Sequence, residues 1–204
     1  MFALVESGTI TQFPKGNKGI TIGDNQYPKT IYSLWTEAER NAIGIYTVTI
    51  DNTNKKNEEF WINTDITYTF TGSAVTGSYG TATAKRLNDE NAVDEDGNNV
   101  LDADGNQVIN YGLKTQYKNK FNAEAATLLS RTDWYVIKAA DVTDYNVPSN
   151  IATYRAAVRT KVNAMETSID NCSDVDALIT LLTYTTDSEG VTSRPLGEFP
   201  DEVV

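Results

Sequence analysis

The chain has 204 residues, 40 % of them apolar, and a formal net charge of −11 at pH 7. That size allows one medium domain or two small ones with a real core, while the acidic balance argues against a nucleic-acid binder, because phosphate neutralisation needs clustered Lys and Arg. Histidine is absent, which excludes a Ser-His-Asp triad, a Cys-His pair, an H-E-x-x-H zinc site and any histidine general base.

Cys172 is the single cysteine, so no intrachain disulfide and no Cys-x-x-Cys site can form. Without an activating histidine it reads as a small buried hydrophobe. No apolar run approaches the roughly 18–20 residues that span a bilayer, so no membrane insertion is expected. The start, "MFALVESGTITQFP", lacks the basic and long apolar parts of a signal peptide; synthesis in a cytoplasm and a chain that stays soluble are expected. The glycines of "GNKGITIG" (16–23) lack phosphate-loop spacing. No catalytic, cofactor-binding or metal residue is assigned, no cofactor is expected, and the chain reads as a non-enzyme.

In chain order, residues 1–87 read as a small antiparallel β domain. "FALVES" (2–7) and "TITQFP" (9–14) flank Ser7–Gly8 as a hairpin. "GIYTVTID" (44–51), "EEFWINTDITYTFTG" (58–72) and "YGTATAKRL" (79–87) carry the β-branched and aromatic residues of strands, and "NTNKKNEE" (52–59) a polar hairpin tip. From Tyr46 to Ile50, apolar and polar residues alternate at period two. Between the strands, Thr36 and Glu39 have capping-box spacing, and Gly44 sits where a helix-ending glycine belongs.

Residues 88–112 form an acidic hairpin or linker region with seven acidic and no basic residues. Two eight-residue copies follow each other, Val93–Val100 and Leu101–Val108, each holding Asp-x-Asp-Gly. A calcium loop would need a longer oxygen ladder and a closing Glu. Two small hairpins with Asp-Gly turns are the favoured reading over a metal site.

Residues 113–182 read as a helical domain, a helical hairpin or three-helix unit. Leu113, Tyr117, Phe121 and Leu128 fall on one stripe, with Lys114, Lys118 and Lys120 on other faces as solvated charges. In "RTDWYVIKAAD" (131–141), Thr132 or Asp133 is placed to cap a helix starting near Trp134. Val136, Ile137 and Ala140 give it an apolar side. Pro148 and Ser149 suit the entry of a long helix with a buried seam at Ile151, Tyr154, Val158, Val162, Met165 and Ile169. That helix is expected to pack on residues 113–140. Trp134 is read as packing internally against Tyr154–Val158, with a partner-binding role as the alternative. Arg155 and Arg159, four apart, can pair with Asp133 or Asp141, or with an acidic partner. Ser173 is the candidate cap of a last helix, and residues 183–204 an extended tail. The fold class is α+β by segregation along the chain.

The order of these parts resembles the bacteriophage tail-fibre assembly and tail-fibre-associated proteins. The similarity is carried by Leu128–Leu129, Thr132–Asp133–Trp134, Val136–Ile137, Val147–Pro148 and the run Tyr154 to Arg159. At the front it is carried by Thr36–Glu39 and Gly44–Ile45–Tyr46, and at the end by Phe199–Pro200–Asp201. Residues 52–112 are longer and more β-rich than in the simple assembly factors, which favours a part that stays in the particle. The resemblance implies a virion structural protein of the tail, made in the host cytoplasm, that contacts tail-fibre or baseplate proteins and through them a trimeric fibre. An assembly chaperone for fibre folding or trimerisation is the alternative. A carboxylate-based glycan hydrolase ranks last, since Asp94 and Asp96 lie in a loop without an aromatic sugar platform. Trp134, Tyr135, Tyr154, Arg155 and Arg159 are the candidate interface residues.

Overall fold

A computed structural model describes residues 1–203. The protein is a mixed α+β chain with a β-rich N-terminal region and helices concentrated toward the C-terminus. Two compact units divide it, Met1–Thr83 and the remainder from Ala84 onward.

In the first unit, β1 (Phe2–Glu6) and β2 (Thr9–Gln12) form the expected hairpin. Ser7 and Gly8 both adopt positive φ, 51° and 80°. A two-residue turn needs that handedness to match the strand twist. A second small hairpin joins β3 (Ile20–Ile22) to β4 (Asn25–Tyr27). One helical turn, α1 (Ile31–Leu34), precedes α2 (Glu37–Ala42). The capping box of α2 is complete: Thr36 Oγ1 accepts from the Glu39 amide, and Glu39 accepts from the Thr36 amide at 2.7 Å. Gly44 ends it with φ 84°.

The chain then lays down β5 (Ile45–Asp51), β6 (Trp61–Ile62), β7 (Ile66–Phe70), β8 (Val75–Tyr79) and β9 (Thr83–Ala84). Five strands make one sheet in the order β2-β1-β5-β8-β7, antiparallel except between β5 and β8. Phe13, just past β2, meets Tyr68 of β7 with ring centroids 4.6 Å apart, so the sheet curls until its outer strands approach. Both faces are buried. Ala3, Val5, Val48 and Val75 fill one face, and Leu4, Ile20, Ile31 and Ile45 the other. Over 46–49 the period-two reading of β5 holds, with Tyr46 half-buried and Val48 buried between exposed Thr47 and Thr49, while Ile45 ahead of it buries on the other side.

Two expectations are corrected in this unit. The strand anticipated over 79–87 is only the two-residue β9, and the longer strand lies earlier, at Val75–Tyr79, where glycine and serine hide it. A Cβ on Gly77 would lie 2.7 Å from Tyr68, 2.8 Å from Ile66 and 2.9 Å from Ile50, so this close-packed position takes only glycine without adjustment. Residues 52–59 are no hairpin tip, because β5 pairs with β1 and β8 and leaves them as a loop.

The second unit opens with β10 (Glu90–Asn91) paired to β11 (Ile109–Asn110). Between them each eight-residue copy folds into the same turn. Asp94 Oδ1 accepts from the amides of Asp96 and Asn98, and Asp102 Oδ1 from those of Asp104 and Asn106. Gly97 and Gly105 supply φ of 82° and 83°. The repeat period closes a ring: the Val100 amide donates to Ala92, Val108 to Val100, and Ala92 to Val108, at 2.8–2.9 Å.

Four helices follow: α3 (Leu113–Ser130), α4 (Asp133–Asp141), α5 (Ser149–Asp170) and α6 (Val175–Leu182). α3 packs along α5. All six seam residues of α5 are buried, and α3 buries Leu113, Tyr117, Phe121 and Ala125 at steps of four, with Leu128 half-buried. Lys114 and Lys118 are not simply solvated. They reach the end of α5, donating to the Asp170 carbonyl at 2.9 Å and its carboxylate at 2.8 Å. Two cations thereby meet the negative end of that helix dipole. The cap of α6 is Asp174, which accepts from the Ala177 amide, while Ser173 donates to Asp174. The tail carries a hairpin, β12 (Thr185–Thr186) with β13 (Thr192–Ser193), and buries Leu196. Its turn repeats the Asp94 geometry at Asp187, a third copy that the sequence spacing concealed.

Candidate protein interface

The corner between α3 and α4 is built on Arg155. This side chain, only 7 % exposed, donates to the Leu129 carbonyl, to Thr132 Oγ1 and to Asp133 Oδ1, each at 2.7 Å. A guanidinium offers a planar fork of donors, so one residue can satisfy a helix-ending carbonyl, a hydroxyl and a carboxylate together. The anticipated pairing with Asp133 is therefore present. Arg159 donates to the Arg155 carbonyl at 3.4 Å.

The expected capping role is corrected. Thr132 has φ −114° and ψ 4°, away from the extended geometry of a capping residue, and makes no side-chain cap bond. Its hydroxyl donates to Leu129 and accepts from Arg155.

Trp134 is not a buried core residue. It is 50 % exposed, and α4 buries none of its residues. The Arg155 cluster fastens α4 at its first residue, Asp133. Trp134 lies against Tyr135 with ring centroids 3.7 Å apart, and Lys138 Nζ is 4.3 Å from the Tyr145 ring centre. Tyr135 and Ala139, four apart, are half-buried on the inner line of α4. Ile137 lies on the opposite side, 67 % exposed, flanked by exposed Trp134 and Val136. Asp133 and Asp141 lie one turn before and after Ile137.

Of the sequence-derived candidates, Trp134 and Tyr135 therefore lie on α4, whereas Tyr154 and Arg155 are buried on α5, Arg155 tied to the start of α4 and Tyr154 beside the tail at Pro200–Asp201. Ile137 and Val136 join the exposed face, although their apolar character read as core. The Asp-x-x-x-Ile-x-x-x-Asp line was the available signal, since two carboxylates on one helical stripe favour water.

Other features are less suited to chemistry. Cys172 is buried, and that burial pushes its thiol pKa up. Hydrogen bonds from their own loops, first from Asn98 and Asn106, hold the Asp94 and Asp102 carboxyls below their ordinary range. Among the described residues no group of His, Cys, Asp or Glu is arranged to hold a metal ion, and no helix is long and apolar enough to cross a membrane. A cleft of about 470 Å³ lies between the 12–20 loop and Tyr32. Another, about 450 Å³, lies between the first turns of α5 and Pro200–Asp201.

No family model, no curated protein and no solved structure matches the chain.

Proposed function

We propose that this chain is a structural protein of a bacteriophage tail, associated with the tail fibre or baseplate and acting through protein–protein contacts. The reading rests on the order of motifs that resembles the tail-fibre-associated proteins. The observation that carries it is the exposed apolar surface of α4, with Trp134 and Ile137 one turn apart on its outer side and Val136 at its flank, on a helix with no buried residue. That face belongs to the Thr-Asp-Trp stretch at the centre of the resemblance. Exposed aromatic and aliphatic clusters on a rigid support suit an interface. In this reading the acidic 88–112 segment is a connector, and residues 113–182 form the helical unit that presents α4. The protein would be made in the host cytoplasm and carried in the virion.

Mass spectrometry of purified particles tests this. Stoichiometric presence is expected, with loss of incorporation in Ile137→Asp. Absence from particles, together with fibre misfolding when the chain is deleted, would favour the alternative of an assembly chaperone.

A further inference from the structure

The exposed face of α4 also carries information about what covers it. Asp133 and Asp141 bracket Ile137 along one line, and Asp144 follows in an exposed turn with φ 66°. Asp133 is already paired to Arg155, and its side chain is still 51 % exposed. Lys138 is the one basic residue from 133 to 145, and it sits over the Tyr145 ring. The apolar centre therefore has an acidic rim, within a unit whose side chains number eleven basic and twenty acidic from Ala84 onward.

Resting on the reading of α4 as an interface, we infer that its occupant is a different protein presenting a short apolar ridge flanked by Lys or Arg. A second copy of this chain would set carboxylates against carboxylates, and like charges across an interface disfavour pairing. Anionic lipid and nucleic acid meet the same repulsion. A basic-flanked ridge instead buries against Trp134 and Ile137, one turn apart on α4, while its cations meet Asp141 and Asp144.

The full chain is titrated with three synthetic helical peptides. One has a leucine stripe flanked by lysines, one the same stripe flanked by glutamates, and one the lysine composition with the stripe scrambled. Only the first binds well; the others are weaker by about tenfold or more. Ile137→Asp weakens the first peptide by about tenfold. Asp141→Asn with Asp144→Asn weakens it less and flattens its salt dependence, and asparagine tolerates the positive φ at 144. Circular dichroism confirms that the variants fold. Equal binding of the lysine and glutamate peptides overturns the inference. So does unchanged binding by Ile137→Asp, or self-association of the chain that Ile137→Asp abolishes. In particles the two readings separate: normal incorporation of Ile137→Asp sinks the interface, whereas normal incorporation of the Asp141/Asp144 variant alone sinks only the charged rim.

Discussion

At the scale of single residues, Arg155 decides how α4 is held. Its three acceptors belong to the end of α3, the corner and the start of α4, so removing it takes a charged donor from each, although the Thr132 amide and hydroxyl still donate to the Leu129 carbonyl. A hydrogen bond to a charged group contributes about 1.5–3 kcal/mol. Arg155→Met should therefore lower stability by about 2–3 kcal/mol in urea unfolding. Arg155→Lys should recover only part, since an ammonium cannot reach all three acceptors with the planar fork of arginine. A loss below about 0.5 kcal/mol, typical of surface substitutions, would mean the corner holds without it. A second residue-scale consequence concerns pH. Hydrogen bonds lower the carboxyl pKa of Glu39, chiefly from the Thr36 amide, and of Asp174, chiefly from the Ala177 amide. A depressed folded-state pKa stabilises the native state above the unfolded value and is lost as pH falls through the folded one. The melting temperature should hold from neutral pH to about pH 5 and fall progressively below it. In Glu39→Gln and Asp174→Asn the acid-side fall should be shallower; an unchanged slope would remove the two caps as its source.

At the scale of elements, β8 and α4 mark where pattern reading succeeded and failed. The α5 seam was legible because six large apolar residues at steps of three and four admit one buried face. The hairpin of β1 and β2 was legible from its turn chemistry. β8 was not: its glycine packs against Tyr68, Ile66 and Ile50, a requirement visible only once the strands are side by side. Gly77→Ala should cost about 1–3 kcal/mol by overpacking, read as a shift in the urea midpoint. A neutral Gly77→Ala would show that the three side chains can withdraw. The outward turn of α4 was hidden for the opposite reason. Its composition matches a core helix, while the Arg155 corner fastens it at its first residue. With no buried residue, α4 should exchange its amide hydrogens well before α5, whose seam is buried. Mass spectrometry of deuterium uptake on the full chain checks this order. Equal protection in both helices would mean that α4 opens only with the whole unit.

At the scale of the whole molecule, charge is divided unevenly. Residues 1–83 carry six basic and eight acidic side chains, while the remainder carries eleven and twenty. Self-repulsion therefore weighs on the C-terminal unit, and the acidic turns at 94–98 and 102–106 add to it. Salt acts in two directions here. It weakens exposed surface pairs such as Arg86–Glu90 and Arg131–Glu202, each contributing about 0–1 kcal/mol. It also screens the excess negative charge, because the Debye length falls from roughly 30 Å at 0.01 M to about 3 Å at 1 M. Arg155–Asp133, with its guanidinium buried, is screened less than the surface pairs. Repulsion summed over the unit should outweigh a few exposed pairs, so the melting temperature should rise with sodium chloride at pH 7. Neutralising Asp96 and Asp104, exposed neighbours of the turn-forming Asp94 and Asp102, should raise the low-salt melting temperature and flatten its salt dependence. A melting temperature that falls with salt would show that the ion pairs, not the net charge, govern the unit. The same screening should weaken a basic-flanked partner on α4, so salt would stabilise the isolated chain while loosening its complex.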